Sequence, residues 1–267
     1  MISVRALYEA AVAGADAGAA TRRALEREPP PARRTWLLGV GKAAVPMARA
    51  AAVQLRADGR AVAGGLVVAP AVEHLDDAIA VVPGDHPVPG ALSAAAARAI
   101  GAFLGRPGPD DQLLVLLSGG ATALVGAPVA GVTDDDYATL VRGLLRSGAD
   151  ITVMNALRKR VSRWGAGRLA AAVPCPVRCL AVSDVAGDDL ATIGSGPCVP
   201  DATTATALRA LIERERLHDA VPAGVARYLG EVARGERAET PKPGDPRLAH
   251  ADARVILANR DALDAAA

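Results

Sequence analysis

The sequence predicts an α/β protein, a doubly wound, mostly parallel six-stranded sheet with helices on both faces. Three observations carry that expectation. Apolar runs of strand length alternate with segments of helical period along the chain. Several of these runs, among them Trp36-Leu-Leu-Gly39-Val40, Leu113-Leu-Val-Leu-Leu117 and Cys179-Leu-Ala-Val182, empty straight into glycine-broken polar loops. In open α/β sheets such exits, at the carboxyl ends of strands, are where ligands meet the protein. Finally, 267 residues suffice to bury a sizeable core within one domain.

Val4, Leu7, Tyr8, Ala11 and Val12 share one helical face, so residues 2–28 read as one amphipathic helix that Pro29-Pro30-Pro31 stops. The first strand follows at 36–40, and residues 43–55 have helix-forming composition before the turn dipeptide Asp58-Gly59. Leu66–Val68 and Ile79–Val82 are short apolar strands. The loop Gly84-Asp-His86-Pro-Val-Pro89-Gly90 reads as rigid, because two prolines fix φ and bias their predecessors toward extended shapes. An alanine-rich helix spans 91–104 and a strand 113–117. Thr133-Asp-Asp-Asp136 has the hydroxyl and acids of a helix start, and Tyr137, Leu140, Val141, Leu144 and Leu145 continue that helix on one face. A strand at 177–182 leads into an acidic loop, and a helix from about Thr203 carries Leu208, Leu211 and Ile212. Residues 235–246, rich in proline and charge, read as a linker. A last strand, Arg254–Ala258, runs into a helix at Asn259-Arg260-Asp261, and a chain that stops there leads to the expectation of a further C-terminal part.

Thirty Lys plus Arg against 29 Asp plus Glu leave a formal charge of +1, and aromatic residues make up 2% of the chain. Neither the basic field nor the stacking platforms of a nucleic-acid binder are present. No run approaches the ~20 apolar residues of a membrane span, and the N-terminal Met-Ile-Ser-Val-Arg lacks the basic-then-apolar plan of a signal peptide. The expectation is a cytoplasmic protein with neither nucleic acid nor membrane as partner. Cys175, Cys179 and Cys198 lack zinc-site spacing and read as small hydrophobes.

Each polar exit has a functional reading and a plain one. Gly39-Val-Gly41-Lys42-Ala-Ala44 fits the loose G-x-G-x-x-A dinucleotide fingerprint, but the next strand ends Val67-Val68-Ala69-Pro70, without the acid that holds a ribose. Lys42 in a first helical turn opposes the helix dipole, so its placement points to an anion; the plain reading is a solvated lysine. Ser118-Gly119-Gly120-Ala-Thr122 offers backbone N–H groups with no side chains in the way, suited to phosphate oxygens, or is a plain turn. Asp184 and Asp188, four apart across Gly187, can hold Mg²⁺ or take a proton from a hydroxyl, whereas Asp189 reads as a cap or a solvated acid. His86 is either a substrate contact or a loop histidine bonded to local backbone. Asn155, Arg158 and Lys159, with Arg160, make either an anion cradle or an ordinary basic face.

Seven motifs occur in order: Val40-Gly-Lys42-Ala-Ala, Gly84-Asp-His86-Pro-Val-Pro89, Leu117-Ser-Gly-Gly120, Asn155-x-x-Arg158-Lys159-x-x-Ser162, Ser183-Asp184-Val-x-Gly-Asp188-Asp189, Ser195-Gly-Pro197 and Pro200-Asp201-x-Thr203-Thr204. Together they resemble the N-terminal, Rossmann-like domain of the glycerate 2-kinases of the MOFRL type, a family some of whose members carry the label hydroxypyruvate reductase. The resemblance covers nearly the whole chain. It implies phosphoryl transfer from ATP to the 2-hydroxyl of D-glycerate with Mg²⁺, in a cleft shared with a smaller C-terminal MOFRL domain, and it is compatible with a homodimer. It also implies roles. Lys42 would meet the phosphates or the transferring group, and Asp184 would be a base or a metal-orienting carboxylate with Asp188 as a second metal ligand. Gly39, Gly41, Ser118, Gly119 and Gly120 would line the nucleotide, and His86, Asn155, Arg158 and Lys159 the substrate.

Two departures stand out. Where the family writes Lys-Gly-Gly-Arg, this chain has Gly165-Ala166-Gly167-Arg168, and Ala121-Thr122 replaces glycine and serine after the glycine pair. The resemblance also leads to the expectation that these 267 residues, lacking a MOFRL domain, are nearly inactive alone. Two other readings are kept: an NAD(P)-dependent hydroxypyruvate reductase, which the missing ribose acid disfavours, and a non-catalytic binding module.

Overall fold

Strands form where the chain is apolar on both faces. In the computed structural model, which describes residues 3–267, six strands assemble into one sheet: β1 (Arg34–Val40), β2 (Ala61–Ala69), β3 (Ile79–Pro83), β4 (Gln112–Leu117), β5 (Val177–Val182) and β6 (Ala251–Leu257). Their order is β3-β2-β1-β4-β5-β6, and every neighbouring pair is parallel. The expected fold is therefore present, with no antiparallel edge. Alternate residues serve opposite faces, as the period of two requires. Trp36, Leu38, Val40, Leu113, Val115 and Leu117 enter one core, while Leu37, Leu114 and Leu116 enter the other.

Helices α2 (Ala17–Arg27) and α3 (Ala44–Ala57) cover the second core, and α4 (Ala91–Leu104) covers the first. The N-terminal segment is two helices rather than one. Helix α1 (Val4–Gly14) stops at Ala15, and the Asp16 carboxylate accepts the Ala19 N–H at 2.9 Å to cap α2 afresh. Ile2, included in the expected helix, lies outside the described residues. Pro29 does end the region, since α2 finishes at Arg27.

After β4 come a short helix α5 (Ala121–Leu124) and then α6 (Asp134–Ser147) and α7 (Ile151–Val161). Thr133 caps α6 as its sequence requires: its hydroxyl accepts the Asp136 N–H at 3.0 Å, and the Asp136 carboxylate returns the bond to the Thr133 N–H. Helices α8 (Ala205–Arg214) and α9 (Ala223–Ala233) join α6 and α7 around a third apolar cluster that includes Tyr137, Leu140, Leu157, Leu208, Tyr228 and Leu229. Helix α10 (Asn259–Ala266) closes the described chain against α1, where Gly14 faces Ala265.

Residues 235–246 are not a free linker. Glu239 accepts the Ala205 N–H at 2.7 Å and pairs with Arg160, and the buried Thr240 donates its hydroxyl to Asp201 at 3.1 Å. Proline and charge hid that fastening, because the anchoring partners lie far away in sequence. No helix among the described residues is long and apolar enough to cross a membrane.

Candidate active site

Strand order places the site. Between β1 and β4 the chain reverses its direction of growth across the sheet, and the carboxyl ends of strands at such a point are where open α/β sheets ordinarily bind ligands. The β1 and β4 exits are pressed together there. Gly41 has φ +135°, and a Cβ on it would stand 2.1 Å from Ser118 Oγ and 2.6 Å from the Ser118 carbonyl oxygen, so only glycine fits. The Lys42 N–H donates to the Gly119 carbonyl at 2.9 Å, and the Ala43 N–H donates to Ser118 Oγ at 3.0 Å. Gly39 sits below, where a Cβ would meet Ala44 Cβ at 3.3 Å, so the fingerprint glycine lets helix α3 close on β1.

The turn Gly119–Gly120 is the meeting point of three exits. A Cβ at Gly119 would lie 2.4 Å from the Asp184 carboxylate, which arrives from β5. A Cβ at Gly120, where φ is +86°, would lie 3.3 Å from Lys42 Cε, 3.1 Å from His86 Cδ2 and 3.3 Å from His86 Nε2. Lys42, His86 and Asp184 thus line one two-residue turn. None of the three side chains has a hydrogen-bond or ion-pair partner among the described residues, and all three are exposed. The Gly119 and Gly120 N–H groups likewise find no acceptor there. Burial, and then the Lys42 ammonium beside it, push the His86 imidazole below its ordinary value.

His86 is delivered by a fixed stem. The Asp85 N–H donates to Ser93 Oγ at 2.9 Å, the Asp85 carboxylate accepts the Ser93 N–H at 3.0 Å, and Gly84 is pressed on the Leu124 carbonyl, where a Cβ would stand at 2.3 Å. The loop after β5 is held from the far side. Ser195, at φ +68°, shares a 2.9 Å hydroxyl contact with Thr122, and its carbonyl accepts the Ala166 N–H at 2.8 Å. Gly165 is closely packed there: a Cβ would come within 3.0 Å of the Ser195 carbonyl oxygen and 3.1 Å of the Lys159 carbonyl oxygen, tighter than ordinary contact.

The other predicted site residues have surroundings of their own. Asp188 stays exposed at φ +54°, its N–H donating to the Val185 carbonyl at 3.1 Å, and nothing draws its side chain to the glycine turn. Lys159 is committed to Asp201 at 3.1 Å and has a side chain 12% exposed, whereas Arg158 donates to Asn155 Oδ1 and keeps a buried Nε without a partner. The fully buried Arg160 bonds Glu239, the Thr203 carbonyl and Asp201. Burial works against ionisation of Asp201, but Thr203, Lys159 and Arg160 together hold its carboxyl below the usual range. The half-buried Arg168 joins these residues, donating to the Arg160 carbonyl at 2.9 Å and the Ser162 carbonyl at 3.1 Å. Sequence reasoning did not single out this inner network, although Asp201 and Arg160 stand in motifs it quoted.

The geometry fits a phosphate chain and one divalent cation. A Cβ at Gly119 would crowd Asp184 and one at Gly120 would crowd Lys42 and His86, and the N–H groups of both glycines are without an acceptor among the described residues. Among the described residues no three His, Cys, Asp or Glu side chains are grouped to hold a metal. A single exposed carboxylate is nevertheless what Mg²⁺ usually needs when phosphate oxygens complete its shell.

Residues 3–230 match a family model described as a domain of unknown function, DUF4147. A putative hydroxypyruvate reductase of Agrobacterium vitis is 36% identical over 270 residues, covering 99% of this chain and 57% of that protein. A D-glycerate 2-kinase of Thermotoga maritima is 36% identical over 185 residues, covering 68% of this chain and 43% of that protein. The crystal structure of a glycerate kinase from Thermotoga maritima superposes with a TM-score of 0.79 at 30% identity, covering 98% of this chain and 61% of that one. The chain thus spans about half the length of the curated relatives it matches.

Proposed function

Because the chain belongs to the DUF4147 family, whose glycerate kinase-type relatives share its sheet, we propose that it is the N-terminal domain of an enzyme that phosphorylates the 2-hydroxyl of D-glycerate from ATP. The observation that carries this reading is the convergence of Lys42, His86 and Asp184, all unpartnered, on the Gly119–Gly120 turn. Phosphoryl transfer asks little covalent chemistry of a protein; it asks for positioning and for charge neutralisation around the moving group. Lys42 neutralises phosphate charge, the Gly119 and Gly120 N–H groups donate to phosphate oxygens, and Asp184 supplies the carboxylate. Asp184, together with phosphate oxygens, would hold Mg²⁺, which would supply the remaining neutralising charge; Asp188, four residues on, would need its loop to move to join it.

The exposure of all three side chains supports a second part of the reading: this chain forms one wall of the cleft, and a C-terminal MOFRL domain forms the other. Efficient transfer needs water excluded from the migrating group, and an open turn does not exclude it. The reductase alternative requires the first helix of the sheet to offer its amides to a pyrophosphate. Here the amides of Lys42 and Ala43 are already bonded to Gly119 and Ser118.

Calorimetry with Mg-ATP tests the nucleotide claim: binding by this chain, weakened at least about tenfold in Lys42→Met, is expected, since tenfold corresponds to ~1.4 kcal/mol of lost interaction. ADP release with D-glycerate tests the rest, with this chain compared with one carrying a MOFRL domain. Turnover only by the longer form is expected. Robust turnover by the short form refutes the half-site claim, and NADH oxidation with hydroxypyruvate refutes the kinase.

A further inference from the structure

The carboxylate of Asp184 and the imidazole of His86 both face the Gly119–Gly120 turn, and either is chemically able to take the proton of a hydroxyl brought there. Building on the kinase reading above, we propose that His86 Nε2 is the general base for the substrate hydroxyl, and that Asp184 serves the metal. The Nε2–Cδ2 edge of the ring is the edge that faces Gly120, so the basic nitrogen points at the turn and not at the loop that bears it. Lys42 approaches the same glycine from the other strand exit, which sets the base beside the cation that meets the phosphate. A base and a phosphate-gripping ammonium at one residue is the arrangement an in-line transfer needs: nucleophile and phosphorus are brought together at a single point.

The charged groups that bear on the ring are Lys42 after β1, which faces the same glycine, and Asp85 on its own loop, while Asp184 after β5 faces the adjoining Gly119. The Asp85 carboxylate is occupied by the Ser93 N–H at 3.0 Å, so it does not pair with the imidazole and draw a second proton onto it. Partial burial, and then Lys42, disfavour the imidazolium and so favour the neutral ring that a base requires. Imidazole is in general a stronger base than a carboxylate by about two pKa units, which makes it the better acceptor for an alcohol proton near pH 7. The fixed stem of His86, clamped by Ser93 and Leu124, gives the ring the placement a base requires.

The step balances. The hydroxyl proton passes to Nε2 as the hydroxyl oxygen bonds to the γ-phosphorus. The bond from that phosphorus to the β,γ-bridging oxygen breaks, and its electron pair leaves with ADP. The imidazolium then returns its proton to solvent.

The test is the pH profile of kcat/KM for ADP release with D-glycerate, in the form carrying a MOFRL domain, together with Mg-ATP calorimetry on each variant. The unmodified protein is expected to lose activity as pH falls through a value below the ordinary histidine range. His86→Gln should lower kcat about 10²- to 10⁴-fold, abolish that acid limb and leave Mg-ATP affinity within about twofold. His86→Gly should recover turnover on addition of free imidazole, a response that a structural role does not give. Asp184→Asn should raise the Mg²⁺ requirement and keep the acid limb. An acid limb that survives in His86→Gln, or that disappears in Asp184→Asn, overturns the proposal, as does loss of Mg-ATP binding in His86→Gln. Failure of the kinase reading shows separately, as absence of Mg-ATP binding and of ADP release in the unmodified protein, and overturns both.

Discussion

Replacing Gly119 with alanine separates the geometry of the site from the stability of the fold. The new Cβ would stand 2.4 Å from Asp184 Oδ2 and 3.0 Å from its Cγ, where 3.4 Å begins ordinary contact. The carboxylate must therefore retreat by about an ångström. The backbone at Gly119 is not in the left-handed region, and Asp184 is exposed and unpaired, so it withdraws by changing rotamer. Such a change costs ~0.5–1.5 kcal/mol at most, which moves the melting temperature of a domain of this size by only about 2–4 °C per kcal/mol. Displacing a catalytic group by about 1 Å, in contrast, costs roughly 10²-fold in rate. Thermal unfolding of the chain and ADP release by the form with a MOFRL domain are the two assays. Activity within threefold of the unmodified protein, with the carboxylate displaced, would refute the role given to Asp184. A fall in melting temperature beyond about 10 °C would show instead that Gly119 is a structural residue.

Gly41→Ala is expected to do the opposite and damage the fold. It combines φ +135° with a 2.6 Å approach to the Ser118 backbone oxygen, and strain plus overlap cost roughly 2–5 kcal/mol, read by urea unfolding. Arg160→Met strands Asp201 and Glu239 without their buried guanidinium and should cost about 3–5 kcal/mol by the same measurement. Acid titration followed by circular dichroism should show the network failing: Glu239 is held at about 2 and Asp201 below its usual value, so their contribution is complete above the ordinary carboxylate range and lost as pH falls toward 2. NADH should show no saturable fluorescence change with this chain up to about 1 mM, a Kd that would correspond to only ~4 kcal/mol; tight binding would overturn the argument from the occupied helix amides.

Apolar periodicity made the sheet legible, because strands buried on both faces leave little else for such runs to be. The α4 boundaries and the β5 boundaries follow the sequence reading residue for residue. What it hid depends on distant partners. The break between α1 and α2 turns on one Asp16 cap inside an otherwise continuous apolar face. Helix α9 carries Val225, Tyr228, Leu229 and Val232 at helical spacing, a signal that was present but passed over among glycines and alanines. In the site, Lys42, Ser118, Gly119, Gly120, His86 and Asp184 come together because each follows a strand or caps one, and strand ends are readable. The partners of Lys159 and Arg160 were hidden for the converse reason: a basic run on a helix looks alike whether it faces a ligand or a buried Asp201.

The sheet order explains why a dinucleotide fingerprint can accompany phosphoryl-transfer chemistry. In a sheet of order β3-β2-β1-β4-β5-β6 the crevice between β1 and β4 is the natural ligand site, whatever the ligand. A dinucleotide fold leaves the helix after β1 open, so that pyrophosphate binds its amides. Here the β4 exit fills that space, with Ser118 lodged against Gly41 and the Lys42 and Ala43 amides bonded to it. The backbone N–H groups without an acceptor are thereby found one strand over, at the Gly119–Gly120 turn, and the exposed residue at the start of α3 is a lysine. The same two glycines of the fingerprint, Gly39 and Gly41, are thus used for close packing of α3 and β4 rather than for approach of a ligand.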